Sequence, residues 1–172
     1  MVNPMFVKVL DALDQGLYFN HSIEELVKSR LASMSDDEKD RVNIVVVGDR
    51  DITNKYLVTR NLTNFLRIFE RKENIRLITG HQPGVESIVN LYARKNDIEC
   101  INYKTSVDRW QNKELEEEEQ IPNIRKRNEA MLQHAHIVLI MTYGMDKHLD
   151  NMYHLSRDSG LLVAKCQFRR RQ

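Results

Sequence analysis

The chain has 172 residues, of which 41% are hydrophobic and 30% charged, and its net charge at pH 7 is +1. This composition is typical of a folded globular protein, and it excludes a disordered chain, a fibrous repeat and a bulk polycation. We therefore expect no nucleic acid as a partner.

Membrane insertion and export are not expected either. No apolar run approaches the roughly 20 residues that a membrane span needs, and the first residues lack the cationic start of a signal peptide. The two cysteines, Cys100 and Cys166, lie far apart and predict neither a zinc site nor a disulfide framework. We expect a reducing, cytoplasmic setting.

Residues 1–42 are predicted to form a helical arm. Asn3 and Pro4 can open a first helix, and capping boxes at residues 22–25 and 35–38 open two more. The apolar residues of the first helix recur at helical spacing: Phe6, Val9, Leu10, Leu13 and Leu17. This apolar stripe packs either on the main domain or on a second subunit.

From residue 43 onwards, strand-like segments alternate with helix-like segments. Strands are predicted at 44–47, 75–79, 98–103, 136–141 and 161–166, and helices at 53–71, 85–95, 122–133 and 148–158. This alternation predicts an α/β fold: residues 43–172 form a Rossmann-like, doubly wound domain with a mostly parallel five-stranded sheet. Ligands of such domains bind beyond the carboxyl ends of the strands.

The predicted strand ends carry residues suited to an anionic ligand. Glycines admit a close backbone approach, helix starts favour anions, and Arg offers a planar fork to phosphate. The candidates are Gly48, Arg50 and Asp51 after the first strand, Gly80, His81 and Gly84 after the second, and Tyr143, Gly144 and Lys147 after the fourth. Arg127 and Asn128 precede the fourth strand. Together they predict a site for a small phosphate-bearing molecule.

These motifs, in this order, resemble the SLOG superfamily over about residues 43–166. The resemblance rests on 48–51 (Gly-Asp-Arg-Asp), on Gly80 and Gly84 with the Val-Glu-Ser that follows, on the pair Arg127-Asn128, and on the Gly144 loop. The YspA-like branch is the most similar, and its kin include the LOG phosphoribohydrolases and the DNA-processing protein DprA. The loop after the fourth strand has one glycine, where the relatives usually have Gly-Gly-x-Gly-Thr.

The resemblance implies a pocket for a nucleotide or a nucleotide-derived ligand. Arg50 and Arg127 would then pair with phosphate, Lys147 would hold it as a point charge, and Asn128 would contact ribose or base. Glu86 would contact a ribose hydroxyl. Such a protein would act as a sensor or a sequestering sponge, for example of an ADP-ribose-type or cyclic nucleotide signal in bacterial or phage immunity.

Two alternatives remain open. The same scaffold supports a nucleoside 5′-monophosphate N-glycosidase, in which a carboxylate stabilises charge at C1′ or activates water; Glu86 and Asp150 are its candidate catalytic residues. The second alternative is an interaction module with a degenerate pocket. We expect a homo-oligomer, formed through the sheet-flanking helices or the arm.

Other conspicuous residues have ordinary readings. The histidines lack metal-ligand spacing, and we predict no metal and no cofactor; only His81 lies in a candidate loop. Trp110 is either a stacking aromatic or a packing anchor. The acidic run 116–119 is a solvated segment or a flap, and the basic tail 169–171 a solubilising terminus.

Overall fold

The computed structural model describes residues 7–11, 21–69, 71–103, 117–144 and 147–168. Strands and helices alternate through most of this length. In chain order the elements are β1 (Val7–Asp11), α1 (His21–Ala32), α2 (Asp36–Lys39), β2 (Val42–Gly48), α3 (Lys55–Leu66), β3 (Ile75–Gly80), α4 (Val85–Lys95), β4 (Glu99–Tyr103), α5 (Glu117–Leu132), β5 (Ile137–Thr142), α6 (Lys147–Asp158) and β6 (Leu162–Gln167).

The described strands form one sheet in the order β1-β6-β5-β2-β3-β4. Every strand pair is parallel, and β2 lies between β5 and β3. The chain first builds outward from β2 to β4, then crosses back to β5 and β6. This is the reversal of a doubly wound sheet, so the predicted Rossmann-like class is confirmed. The five predicted strands are present, and β1 adds a sixth strand to the sheet.

Helices cover both faces of the sheet. Ile44 and Val46 of β2 belong to a core that includes Phe65 of α3 and Val89 of α4. Val45 belongs to a second core with residues of α5 and α6, such as Met131 and Met152. The continuous run of β-branched residues in β2 is therefore explained by burial on both faces.

The prediction of a first helix in the arm was wrong for residues 7–11. These residues form strand β1, which pairs with β6 from Val7 to Asp11. Without β1, the edge of β6 that faces away from β5 would present a row of backbone N–H and C=O groups without strand partners. Pairing with β1 provides those partners. Tertiary hydrogen bonding thus outweighs the helical spacing of the apolar residues.

The rest of the arm follows the predicted pattern more closely. Helix α1 is present at His21–Ala32, and the capping box of Ser35 and Glu38 opens the short helix α2. Val27 and Met34 are buried in the same core as α3 and α4. This part of the arm therefore packs on the sheet domain.

Two helix boundaries differ from the prediction. Helix α3 spans Lys55–Leu66 rather than 53–71, because Asn54 caps its start and tighter turns end it after Leu66. Helix α5 starts at Glu117, before Pro122. Glu is a good helix former, so the sequence from residue 117 onwards is compatible with the earlier start.

Across the described residues, no helix combines the length and apolar character needed to cross a membrane.

Candidate functional site

The loops that follow β2, β3 and β5 meet at the carboxyl edge of the sheet, where the strand order reverses. The Asp49 amide donates to the carbonyl of Met141 in β5, over 2.9 Å. The Val85 amide, at the start of α4, donates to the carbonyl of Asp49, over 3.3 Å. Backbone hydrogen bonds thus join the β2 loop to the end of β5 and to the start of α4.

The β2 loop turns sharply around Asp49. Buried Asp49 accepts a hydrogen bond from the Asp51 amide through Oδ1, over 3.0 Å, which fixes an Asx turn. Arg50 and Asp51 are both exposed. The guanidinium of Arg50 forms no ion pair with a described residue and is open to an anion.

Gly80 and Gly84 are required by close contacts within the chain. A Cβ at Gly80 would collide with the Glu86 carboxylate and the Arg127 guanidinium. Gly84 has a φ of 83°, and a Cβ there would collide with the carbonyl groups of Asp49 and Arg50. These glycines bring two loops and a buried ion pair together.

The other two candidate glycines differ sharply from each other. A Cβ at Gly48 would overlap the Met141 carbonyl and Val85, so this position too is filled by the chain itself. Gly144 is exposed, and no heavy atom of the described residues beyond its chain neighbours lies within 4 Å of its Cβ position. Among the predicted glycines, Gly144 therefore leaves the most room for a ligand.

A buried polar network forms the floor beneath these loops. Arg127 Nη1 donates to Glu86 Oε1 over 3.1 Å, and the two side chains are 5% and 1% exposed. Arg127 Nη2 donates to Asn128 Oδ1 over 3.3 Å, and Asn128 Nδ2 donates to Asn151 Oδ1 over 3.2 Å. We call these four residues the floor network. Its one cation and one carboxylate neutralise each other.

The cavity between this floor and the loops is very small. Its volume is about 10 Å³, close to the roughly 10–15 Å³ needed to hold one water molecule. It is lined by Gly48, Gln82 and Leu149 together with members of the floor network. A nucleotide therefore has no room beneath the loops in this conformation, and it would bind across them.

The remaining predicted site residues are spread over the same edge. His81 is exposed and Tyr143 half-buried. The loop of Gly144 is held by Thr142, whose Oγ1 accepts from the Gly144 amide over 2.9 Å. Lys147 begins α6, and its side chain lies outside the described part of the structure.

The two candidate catalytic carboxylates lie in different environments. Glu86 is in the buried floor network. Asp150 is exposed on α6, with its Oδ1 3.4 Å from His154 Nε2, whereas Leu149 and Met152 of the same helix line the cavity. The structure therefore does not bring the two acids together at one cavity.

The thiols are unsuited to nucleophilic chemistry. Burial raises the pKa of Cys100 to about 11 and raises the pKa of the fully buried Cys166 as well. Thiols that are protonated at neutral pH are poor nucleophiles. In the described part of the chain, no group of three or more His, Cys, Asp or Glu side chains is arranged to hold a metal ion.

Two features that the sequence analysis singled out, Trp110 and the tail 169–171, fall outside the described residues. Sequence reasoning missed Asn151, which no motif or spacing marks, and Thr142, which counted only as the first residue after the fourth predicted strand. Asp49 was visible in the first glycine motif, and its Asx turn was predictable from that position.

The fold and the meeting of these loops define a Rossmann-like α/β protein with a candidate ligand site at the switch point of its sheet. Residues 42–110 match the family model described as YAcAr, the YspA, cpYpsA-related SLOG family. Over these residues the resemblance to the YspA-like branch of the SLOG superfamily, seen in the sequence, is confirmed. No curated protein and no solved structure matches the chain.

Proposed function

We propose that this protein binds a nucleotide-derived small ligand across the loops after β2, β3 and β5. The observation that carries the proposal is the exposed Arg50, which forms no ion pair with a described residue and lies on a turn that is hydrogen-bonded to β5 and to the start of α4 at the switch point. The family match over residues 42–110 supports the ligand class, since the SLOG resemblance implies a nucleotide-related pocket. A protein that binds such a ligand and does not cleave it would act as a sensor or a sequestering sponge.

Within this proposal Arg50 holds a phosphate, because a planar guanidinium matches phosphate oxygens in a bidentate arrangement. Tyr143 and His81 supply ring faces beside it, and Gly144 leaves space for a bulky group. Arg127 and Glu86 act as a neutral support. Contact of Arg127 with phosphate, or of Glu86 with a ribose hydroxyl, requires their ion pair to separate.

The ligand class that we favour is an ADP-ribose-type or cyclic nucleotide signal. Such molecules carry phosphates and a second ring or ribose, and they extend beyond a single point of attachment. An open set of three loops accommodates this shape better than the enclosed cavity of about 10 Å³ beneath it.

Thermal unfolding in the presence of a ligand panel tests the proposal. The panel contains AMP, CMP, ADP-ribose, NAD, cyclic ADP-ribose and cyclic dinucleotides. A ligand at 100 times its Kd stabilises the fold by about 2.7 kcal/mol, which raises Tm by roughly 5–11 °C for a chain of this length. The absence of a shift with every member would contradict the proposal.

A matched pair of variants locates the site. Arg50→Ala should weaken binding roughly 10- to 150-fold, the loss expected for one charge-assisted hydrogen-bonding group. Arg41→Ala is the control, because Arg41 is also exposed but precedes β2, at the opposite edge of the sheet. Equal ligand affinity of the Arg50 variant and the wild type would show that Arg50 does not contribute to the binding site.

Recovery of the ligand after incubation separates binding from N-glycosidase activity. We expect the ligand intact, because Glu86 is paired with Arg127 and Asp150 is exposed beside His154. Recovery as free base and sugar phosphate would replace the binding proposal with the glycosidase.

A further inference from the structure

Helices α3 and α4 carry a concentration of uncompensated positive charge on their outward sides. The helices lie side by side, and Thr63 Oγ1 of α3 donates to Tyr92 Oη of α4 over 3.1 Å. We call their solvent-facing surface, with Arg67 at the end of α3, the α3/α4 face. Its cations are Lys55, Arg60, Arg67, Arg94 and Lys95.

No exposed carboxylate on either helix balances these cations. Helix α3 contains no acidic residue, and the one acidic residue of α4, Glu86, is buried against Arg127. None of the five cations forms an ion pair with a described residue. The near-neutral net charge of the whole chain conceals this local excess, because residues 1–42 carry more acidic than basic side chains.

An exposed aromatic ring lies at the start of the same face. Tyr56 is 69% exposed, and the Arg60 guanidinium lies 5.7 Å from its ring centroid. Arg60 Nη1 also donates to Tyr56 Oη over 3.1 Å. The arginine therefore fixes the ring from one side and leaves much of it open to solvent, as a stacking platform requires.

The side chains between the cations are polar rather than apolar. An open strip of surface follows α3 from Lys55 to Arg67 and includes Thr59, Thr63 and Asn64. Hydroxyl, amide and cationic side chains of these types make phosphate contacts in protein–nucleic acid complexes. A protein partner would normally meet an apolar centre, whereas the apolar side chains of α3 are buried in the core.

We propose that the α3/α4 face binds a single-stranded nucleic acid. Phosphates lie along Lys55, Arg60 and Arg67, which span about 18 Å of helix, and one base stacks on Tyr56. Stacking on an aromatic ring beside a cationic track is the general mode by which proteins hold single strands.

Fluorescence anisotropy with labelled 15-nucleotide single-stranded RNA and DNA tests the charge component. The full chain is titrated over a series of salt concentrations, and log Kd is plotted against log salt. The triple variant Lys55→Ala/Arg60→Ala/Arg67→Ala should lower the magnitude of the slope by about 2, because each lost phosphate contact removes roughly 0.7 for single strands.

A control triple variant, Lys28→Ala/Lys39→Ala/Arg41→Ala, loses the same charge from exposed positions around α1 and α2. We expect it to retain the wild-type slope. Equal losses in the two triple variants would show non-specific attraction and overturn the proposal. If the first triple variant fails to fold, the single variants Lys55→Ala and Arg67→Ala decide, each with an expected slope change of about 0.7.

Substitutions at Tyr56 test the stacking component. Tyr56→Ala should weaken strand binding roughly 5- to 150-fold, whereas Tyr56→Phe keeps the ring and should retain most of the affinity. Equal weakening in both variants would assign the effect to the hydroxyl and overturn the stacking role. Displacement of the strand by polyglutamate at equal charge concentration would identify an acidic protein surface as the partner instead.

Discussion

Ionisable side chains pack at both ends of strand β2, but in very different environments. At the carboxyl edge, next to Gly48, the pair of Glu86 and Arg127 is almost fully buried and lies against the backbone of Gly80. At the amino edge, the imidazole of His136 accepts a hydrogen bond from the Asn43 amide over 2.9 Å and meets the half-exposed Glu38. The carboxyl edge is fixed by buried contacts, whereas the amino edge depends on a group that titrates.

This difference has a consequence for the proposed ligand site. A rigid, neutral floor holds the loop backbones in place, so the exposed side chains above it determine which ligand is bound. The floor itself contributes to stability. Variants in the floor should therefore change unfolding first, and variants in the loop side chains should change affinity first.

The largest expected effect comes from Arg127→Met. Removing the cation leaves the Glu86 carboxylate buried without its partner, which should lower the free energy of unfolding by about 3–5 kcal/mol. Urea denaturation followed by circular dichroism measures this loss. The double variant Glu86→Met/Arg127→Met should be more stable than the single variant, because it buries no unpaired charge. A double variant that is no more stable than the single one would refute a buried ion pair at this edge.

A glycine series sharpens the contrast between floor and loops. Gly84→Ala requires a positive φ and brings its Cβ against the carbonyl groups of the β2 loop. It should therefore lower the free energy of unfolding more than Gly160→Ala does. Gly160→Ala has a positive φ but open space, and it should lose about 1–2 kcal/mol. Gly144→Ala has neither constraint among the described contacts and should remain within about 0.5 kcal/mol of wild type.

Thermal and urea unfolding of the three variants give the ranking. An equal loss at Gly84 and Gly160 would show that the backbone approach of the two loops contributes nothing. A large loss at Gly144 would show that its loop is as constrained as the floor.

The sequence predicted the parts of this arrangement that depend on local pattern. The β-branched run of β2, the alternation of strands with helices and the capping box of Ser35 are all properties of neighbouring residues. They placed the carboxyl edge and its loops correctly in the fold. The family resemblance added the expectation of a nucleotide site at that edge.

The parts that escaped prediction depend on contacts between distant residues. Strand β1 forms because β6 offers an edge, which residues 7–11 alone do not reveal. The candidate glycines were interpreted as room for a ligand, but the room at Gly80 is taken by Glu86 and Arg127 from two different helices. No spacing along the chain predicts the bond of Asn128 to Asn151.

The smallest expected effect lies at the amino edge, where pH should modulate stability. The pKa of His136 lies below its ordinary value, because burial disfavours the imidazolium and Arg30 repels it, while Glu38 partly offsets both. The unfolded chain therefore binds more protons than the folded chain as pH falls through the ordinary His value of about 6.5. The neutral His136 thus stabilises the fold at higher pH, and this contribution is lost as pH falls below that value.

Urea unfolding between pH 7.5 and 5.5 measures this dependence. His136→Gln removes the titrating group and should flatten the curve, whereas His134→Gln is the matched control, because His134 is exposed at the same edge. The pKa of Glu38 is also lowered, since the Ser35 amide and hydroxyl stabilise its carboxylate, but this carboxyl loses its contribution at lower pH, around its ordinary value of about 4.3 and below. A slope between pH 7.5 and 5.5 that persists in His136→Gln would place the titrating group elsewhere and remove the contrast between the two ends of β2.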